Sequence, residues 1–353
     1  MGSNLLIAVA GLALQTPQQD SVPASITHGI GFEHLQDLFQ YHRVQGLSFG
    51  LGYRVSLPGA QPVEVYGTMR YGLSDDRITG RLTILRDAPA ARIVLSGYSD
   101  IADLDPLSPG RTIGNTFNSL FAGHDNGDYA FVRGGSASVV SPMASGLDLV
   151  VSAGIERHGS VTAVAQSELN DFLGGSGVFP PNPPVKEGTF GLASVRFIWV
   201  GVTRLNTTVE LLGGEGQTTG RVFGELRRRL GSGFSATVRL KAGVATMPTA
   251  PQMLFRMGGL HSVRGFEYGT LRAPAFWAAQ MDVTPFEGRV RPVIFIDAGQ
   301  AGAAAHLFSG DALVGGGVGL SLFKGLLRFD LSTPLSPDRR GKVRFDLVIQ
   351  GVR

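Results

Sequence analysis

The strongest constraint on the fold is the alternation of apolar and polar residues, which runs through most of the chain from about residue 46 onward. Side chains of a β-strand point alternately to its two faces, so this period of two predicts strands with one apolar and one polar face. In 342–353 the apolar face carries Val343, Phe345, Leu347 and Ile349, and the polar face carries Arg344, Asp346 and Gln350. The preceding segment repeats the pattern, with Leu327, Phe329 and Leu331 opposite Arg328, Asp330 and Ser332.

The length of the alternating segments indicates which solvent their apolar face meets. Strands in soluble proteins usually have ~5–6 residues, whereas a tilted strand that crosses a bilayer needs ~9–11. The segments here run ten to fifteen residues. We therefore predict an all-β fold, a transmembrane antiparallel β-barrel. Fifteen segments can be counted, at 46–58, 62–76, 77–88, 91–101, 129–141, 147–158, 188–200, 203–212, 218–230, 233–247, 273–286, 290–300, 311–323, 325–335 and 342–353.

An odd count is unexpected, because single-chain bacterial barrels have an even number of strands. We expect 16 strands, with fourteen as the alternative. The connections fall into two classes, since "SPMASG", "GVTR", "LGSG", "FEGR" and "FKG" are short, whereas 105–128, 164–187, 248–272 and 302–310 are long. Outer-membrane barrels have short turns on the periplasmic side and longer loops outside. If all short turns lie on the periplasmic side, the strand that is missing from the count of fifteen must precede residue 46.

The N-terminal residues divide into two further segments ahead of a barrel at 46–353. Residues 1–15 contain an apolar run from Leu5 to Leu14 that resembles a secretory signal peptide. Residues 16–45 are predicted to be a linker. Within it, 29–40 places Phe32, Leu35, Leu38 and Phe39 at helical spacing, which indicates a short amphipathic helix. Such a helix could plug the lumen, lie on the membrane surface or pack as a linker turn on the barrel rim.

The composition argues against several structural and functional classes. After residue 15 no run reaches the ~18 apolar residues of a membrane helix. The chain has no cysteine, a net charge of +3 and seven scattered histidines. We therefore expect no disulfide, no metal site, no cofactor and no nucleic-acid partner. We also expect no enzyme, because no Gly-x-Ser-x-Gly turn leads from a predicted strand into a helix and the sequence has no His-Glu-x-x-His motif. His124 (near Asp125 and Asp128) and His158 (near Glu156) lack an obvious nucleophile beside them.

One loop carries an unusual tetrapeptide, Val263-Arg264-Gly265-Phe266, preceded by two glycines. The guanidinium of an arginine can grip a carboxylate with two hydrogen bonds, and a neighbouring glycine lets the backbone come close. In "RPVIFIDAGQ" the alternation turns Pro292, Ile294 and Ile296 to lipid and Phe295, Asp297 and Gly299 inward. Asp297 is therefore a candidate partner for Arg264 if the loop 248–272 folds into the lumen. On spacing alone, Arg264 could equally be an exposed loop residue and Asp297 an ordinary lumen acid.

These residues resemble two motifs of the bacterial surface antigen superfamily, which comprises outer-membrane assembly barrels and two-partner-secretion translocators. Val263 to Phe266 resembles the family's loop motif, and Phe295, Asp297 and Gly299 match its Phe-x-Asp-x-Gly strand motif. The order of the motifs, the single strand between them and the final strands "LLRFDLSTPL" and "KVRFDLVIQG" agree as well. The resemblance implies a barrel of the Gram-negative-type outer membrane in which Arg264 pairs with Asp297.

Two features depart from that family. Its members usually carry polypeptide-transport-associated domains before the barrel, for which 16–45 has no room, and commonly end in an aromatic residue, whereas this chain ends in Gly351-Val352-Arg353. We therefore expect a member that lacks the periplasmic arm or the barrel part of a longer protein.

Two functions remain open. The first is protein translocation or assembly, with the loop held in the lumen and a seam between the first and last strands that opens for a client. The second is a passive or structural pore, whose lumen charges select solutes; these are Arg239, Lys241, Glu210, Arg221, Glu225, Arg227 and Arg229. The expected partners are outer-membrane lipid and, for the first function, an unfolded client polypeptide or a separate periplasmic module.

Overall fold

The computed structural model describes residues 26–31, 35–107, 111–231, 234–286, 288–336, 341 and 343–349. The predicted signal segment 1–15 and Phe32 of the predicted helix lie outside these residues. The strands, in chain order, are β1 (Thr27–Ile30), β2 (Phe39–His42), β3 (Gly46–Leu57), β4 (Val63–Gly72), β5 (Ile78–Ala88), β6 (Ala91–Asp103), β7 (Tyr129–Ala144), β8 (Leu147–Ser160), β9 (Gly188–Val200), β10 (Thr203–Gly214), β11 (Gln217–Leu230), β12 (Ser235–Ala245), β13 (Phe255–Met257), β14 (Leu271–Ala273), β15 (Ala275–Thr284), β16 (Val290–Gly302), β17 (Leu313–Leu322), β18 (Leu327–Pro334) and β19 (Arg344–Ile349). The helices are α1 (Leu35–Leu38), α2 (Ile113–Phe117), the π-helix Asn118–Ala122 that continues α2, and α3 (Glu168–Phe172), with 3-10 turns at Pro251–Met253, Ala304–His306 and Phe323–Gly325.

In the part of the chain that the structure describes, seventeen strands form one antiparallel sheet, and β13 pairs with β14 in a separate hairpin. From β3 to β12 each strand pairs with its successor, β12 then pairs with β15, and the succession continues to β19. β1 and β2 both lie along the one edge of β3 that β4 leaves free, so they act as two halves of a single first strand. Counted over the described residues, the wall therefore has 16 strand positions, which confirms that count over fourteen and confirms the missing strand before residue 46.

The predicted amphipathic helix over 29–40 is wrong in its extent. Among its described residues only Leu35–Leu38 are helical, a single turn between two strands. Thr27–Ile30 pairs with residues 53–56 and Phe39–His42 pairs with residues 46–49. The ladder to β3 satisfies the backbone of these segments more fully than a short isolated helix could, so tertiary pairing overrides the local spacing. The segment predicted to be a linker thus supplies the first strand of the wall.

The two faces of the wall differ as the alternation predicts. On β16, Ile294 and Ile296 are 57% and 52% exposed, while Asp297 is 1% exposed. On β19, Phe345 is 41% exposed and Asp346 only 2%. Apolar side chains of this kind line the outer face of the strands, and so extensive an apolar belt is stable in contact with lipid rather than water. Among the described residues, no helix is long and apolar enough to cross a membrane.

The connections confirm the predicted asymmetry. Short turns join β3 to β4, β5 to β6, β7 to β8, β9 to β10, β11 to β12, β15 to β16 and β17 to β18, all at one end. The long loops follow β6, β8, β12 and β16 and therefore share the opposite end. Two of them, after β6 and β12, turn into the barrel and carry the candidate site.

The orientation of β10 gives a matched test of the lipid-facing surface. Val209 lies near the middle of this strand and is 41% exposed, whereas Asn206 belongs to the inward face. We expect Val209→Lys to lower the free energy of unfolding in lipid by ~2–4 kcal/mol, because a charge at mid-membrane loses its hydration. Asn206→Lys should cost much less. Equilibrium unfolding of both variants in lipid vesicles measures the difference, and equal losses would contradict the assigned faces.

Candidate functional site

The loop 248–272 enters the lumen as a hairpin. Its two short strands, Phe255–Met257 and Leu271–Ala273, pair with each other rather than with the wall. Phe255 and Met257 are buried in an apolar cluster with wall residues from β11, β15 and the start of β17; the cluster comprises Phe223, Ala245, Phe255, Met257, Val263, Phe266, Phe276, Ala278 and Leu313. This packing holds the hairpin against the inner wall and presents the tip, residues 258–270, to the polar part of the lumen.

Arg264 at the tip contacts Asp297 through three hydrogen bonds. Its Nε donates to Asp297 Oδ2 at 2.7 Å and its Nη2 donates to Oδ1 at 2.7 Å. The backbone N–H of Arg264 also donates to Oδ2, at 3.0 Å. The pair is therefore bidentate and additionally fixes the main chain of the loop, which is the strongest geometry available to this pair of side chains.

Two more aspartates complete the environment of Arg264. Its Nη2 lies 2.7 Å from Asp282 Oδ1 on β15, and its Nη1 lies 3.3 Å from Asp330 Oδ2 on β18. Arg328 binds the same two carboxylates, at 3.0 Å from Asp282 and 2.7 Å from Asp330. Arg239 on β12 adds a third cation at 2.8 Å from Asp282. Three guanidinium groups thus balance three carboxylates.

The ring of Phe295 forms the floor of this network. The Cζ of Arg264 lies 3.7 Å from the ring centroid, and that of Arg328 lies 5.4 Å away. A guanidinium over an aromatic face is attracted to the negative quadrupole of the ring, and the attraction grows when water is excluded. Phe295 therefore orients Arg264 from below, while the aspartates hold its edges.

Glycines make the close approach possible. Gly265 has a positive φ of 92°, and a Cβ there would lie 2.5 Å from the carbonyl carbon of Thr333 on β18. On β16, a Cβ at Gly299 would lie 2.8 Å from the backbone oxygen of Trp277. Larger residues at either position would push the loop or the wall apart.

The structure brings all seven residues of the two sequence motifs into one region. Val263 is fully buried and Phe266 is 6% exposed, both within the apolar cluster. Phe266 also accepts a hydrogen bond at 3.0 Å from the backbone N–H of Gly259, which closes the tip on itself. The sequence did not predict that Asp282 and Asp330 contact Arg264, or that Arg328 binds the same two carboxylates. The alternation had, however, placed Arg328 and Asp330 on one face of their strand.

A second charged cluster, centred on Asp128, was also missed. Asp128 accepts from Arg43 at 2.6 Å, from Arg256 at 2.9 Å and from Arg272 at 3.0 Å. These residues come from the turn after β2, the end of the loop 105–128 and the hairpin 255–273, so one carboxylate ties three connections together. Burial opposes ionisation, but Arg256, Arg272 and Arg43 outweigh it and hold the pKa of Asp128 below its usual range.

The two histidines considered for catalysis occupy structural positions. His158 Nε2 lies 2.8 Å from Glu156 Oε2, and its Nδ1 lies 3.3 Å from Gln252 of the lumen loop, so it links wall and loop. His124 lies at the end of the π-helix region, where burial and then Arg344 lower its pKa to about 3. It is therefore neutral at ordinary pH.

The join between the first and last strands is the other notable region. Among the described residues no register of paired backbone positions links β2 to β19. Instead, the loop 105–128 inserts α2 and the π-helix there. Asn118 Nδ2 donates to the backbone oxygen of Leu347 on β19 at 3.0 Å, and the Leu347 N–H donates to Asn118 Oδ1 at 2.6 Å. Two residues earlier, Thr116 Oγ1 accepts from the backbone N–H of Tyr41 on β2 at 3.1 Å. One helical segment therefore contacts both the first and the last strand of the sheet.

A double-mutant cycle tests the Arg264 network. Because Arg264 has three carboxylate partners, Arg264→Ala should lower the thermal stability of the barrel more than Asp297→Ala, since it leaves three buried carboxylates with only two cations. The double variant should resemble Arg264→Ala rather than the sum of the single changes. The measurement is the temperature at which heat-modifiable electrophoretic mobility is lost. Strictly additive effects would show that the two residues act independently.

The Asp128 cluster makes a separate prediction. Asp128→Asn keeps the shape of the side chain but leaves the buried Arg256 without the carboxylate that it contacts, and Arg43 with only the more distant Asp125 at 3.9 Å. We therefore expect a loss of ~3–5 kcal/mol in unfolding free energy. The control is Asp87→Asn, which removes the more exposed pair with Arg92 at 2.5 Å and should cost at most about 1 kcal/mol. Similar losses for the two variants would argue against a buried junction of three loops.

Comparison with known proteins adds a finding on the fold. No protein-family model matches the chain, and no curated protein matches it. Among solved structures, the chain is similar to BamA from Haemophilus ducreyi lacking POTRA domains 1–3, with a TM-score of 0.59 and 11% identity over 97% of this chain and 77% of that one. It also matches CdiB from Acinetobacter baumannii, with a TM-score of 0.46 and 11% identity over 92% of this chain and 65% of that one. CdiB from Escherichia coli gives a TM-score of 0.42 at 13% identity, over 93% of this chain and 63% of that one.

The chain thus spans less than two thirds of either CdiB structure and about three quarters of the BamA structure. At these identities the similarity concerns the fold. The fold expected from the two sequence motifs is confirmed, because this chain adopts the β-barrel architecture seen in BamA.

Proposed function

We propose that this chain is a translocation or assembly barrel of the outer membrane, in which the loop 248–272 is held in the lumen and the seam between β2 and β19 receives a client polypeptide. Arg264 and its carboxylates act as the tether of that loop. The single observation that carries the proposal is the seam, where the edges of the first and last strands contact side chains of a loop instead of pairing with one another in a described register.

A strand edge with free backbone groups is a template for another strand. Barrels that serve only as walls or pores remove such edges by closing the ladder. Here the two terminal edges lie close enough for Thr116 and Asn118, two residues apart, to reach both. The arrangement supports a barrel whose wall opens sideways at one place.

The burial and pairing of charges inside the lumen argue against a wide passive pore. Of the seven charges that could select solutes, Glu210, Arg221 and Lys241 are each less than 10% exposed. Arg221 binds Glu210 at 2.7 Å, and Lys241 donates to the backbone oxygens of Leu107 and His261 in the two inserted loops. A cavity of about 60 Å³ beside Glu156 and His158 has room for only a few water molecules. The lumen at this level therefore contains paired charges and parts of both inserted loops.

Reconstitution tests the proposal against the pore alternative. The chain is placed in lipid vesicles, and a urea-unfolded eight-stranded outer-membrane barrel is added, with its folding followed by heat-modifiable mobility. A second arm adds an unfolded soluble polypeptide and follows its protection from external protease. Vesicles that contain a general porin serve as the control.

We expect several-fold faster folding of the added barrel, or protected polypeptide, only in vesicles that contain this chain. Planar-bilayer recordings should show small and intermittent conductance, because two inserted loops lie in the lumen and contact its wall. A large steady conductance with no effect on either added polypeptide would contradict the proposal and favour the passive pore.

A further inference from the structure

We infer that the segment Ile113–Ala122, here called the seam wedge, is a displaceable part of the barrel wall, and that an incoming β-strand binds by competing with it for the backbone edges of β19 and β2. This inference rests on the proposed function and identifies the element of this chain that keeps the seam shut. It follows from three properties of the wedge: its hydrogen bonds, its fit and its two faces.

The hydrogen bonds of Asn118 imitate a neighbouring strand. In an antiparallel ladder, a hydrogen-bonded residue pair exchanges two N–H···O bonds across the strands. The side-chain amide of Asn118 makes the same two bonds with Leu347, one as acceptor at 2.6 Å and one as donor at 3.0 Å. Leu347 faces Phe329 of β18 in the register of the ladder, and its N–H and C=O point together to the opposite edge. Asn118 therefore caps the free edge of the last strand.

The wedge also fits closely between the two strands. The N–H of Tyr41 donates to Thr116, which is completely buried. A Cβ at Gly114 would lie 3.2 Å from the Ile349 nitrogen and the Leu347 oxygen. Because Gly114 has no side chain, the helix can approach the backbone of β19 about as closely as a paired strand would.

The two faces of the wedge match the two sides of a membrane barrel. Asn115, Thr116, Asn118 and Ser119 are at most 4% exposed and are all polar. Phe117 and Leu120 are only partly buried, and Phe121 is 45% exposed. The rings of Phe117 and Phe121 stack with centroids 6.1 Å apart. Polar residues inward and apolar residues outward is the pattern of the strands themselves, so the wedge serves as a piece of wall.

A strand can outcompete the wedge because it satisfies more backbone groups. Side chains of the wedge bind three backbone groups, the N–H and C=O of Leu347 on β19 and the N–H of Tyr41 on β2. An extended polypeptide with alternating apolar and polar residues can pair along the whole of an edge while keeping the same inward and outward faces. The partner class is therefore an unfolded or partly folded β-strand of the membrane-barrel type.

A disulfide lock tests whether the wedge must move. The chain contains no cysteine, so introduced pairs need no further changes. A Cβ at Gly114 would lie 3.9 Å from the Ile349 Cβ, which suits a disulfide. The variant Gly114→Cys with Ile349→Cys therefore locks the wedge to β19. Leu331→Cys with Phe345→Cys, partners within the permanent β18–β19 ladder, is the matched control.

The probe is a fluorescent peptide with the sequence of residues 342–351, which has the strand-like alternation, and a scrambled peptide controls for composition. Binding to the whole protein in detergent is measured by anisotropy. We expect the peptide to bind the reduced lock variant and the oxidised control, and to lose binding when the lock is oxidised. Binding that survives oxidation of the lock, or that equals binding of the scrambled peptide, would overturn the inference.

Asn118→Ala provides an independent measurement. The change removes both hydrogen bonds to Leu347 and so weakens the wedge. We therefore expect the peptide to bind at least about tenfold more tightly. Hydrogen exchange in 344–349 should also accelerate in the absence of peptide. Unchanged or weaker peptide binding by a folded Asn118→Ala variant would contradict the inference.

The lock also separates this inference from the proposed function. If the oxidised lock variant still accelerates folding of the added barrel, or still transports polypeptide, the wedge is not the gate but the barrel is a translocation or assembly device. If the wild-type chain does neither while the lock still controls peptide binding, the wedge inference stands and the proposed function fails.

Discussion

The contact between Arg264 and Asp297 is the interaction on which the interior of this barrel depends. A wall of 16 strand positions encloses more space than its own inward side chains fill. The loop 248–272 occupies part of that space, and it brings a cation into surroundings with little water. Such a charge is tolerable only when it is paired and hydrogen-bonded. Three carboxylates, two further arginines and the ring of Phe295 meet that requirement.

The same rule explains why the inserted loops are joined to one another as well as to the wall. Asp128 lies at the end of one loop and binds two arginines of the other. Lys241 on the wall donates to the backbone of both, at Leu107 and His261. The filling of the lumen is thus a connected polar structure, while the outer surface is a simple apolar belt. The seam wedge belongs to both, since it is part of the inserted loop 105–128 and contacts the edges of β2 and β19.

Much of the architecture could be predicted from the sequence because a period of two reports directly on which face of a strand a residue occupies. It identified the barrel, fifteen of the 16 strand positions and the inward orientation of Asp297, while the lengths of the connections indicated the loop asymmetry and the place of the remaining strand. It could not say which inward residues meet across the lumen, because alternation carries no information about position around the wall; Asp282 and Asp330 were missed for that reason. The helix predicted over 29–40 failed because pairing with β3 decides the conformation of that segment. The wedge was missed because Asn118 and Thr116 look like ordinary loop residues until the strands they contact are known.

The order of the Arg264 partners along the chain has a consequence for how the barrel assembles. Asp282, Asp297 and Asp330 all follow Arg264 and lie within 66 residues of it. The tip of the hairpin and strands β12 to β18 therefore neutralise the buried charges of the Arg264 network without any residue from β1 to β11, whereas Arg256 and Arg272 of the same hairpin need Asp128, which lies in the loop after β6. Contacts of short sequence separation form faster than distant ones. The tip of the loop 248–272 can accordingly dock on the C-terminal strands while the wall is still open, so that this loop does not have to thread into a finished barrel, and the contacts of Asp128 form when the N-terminal strands arrive.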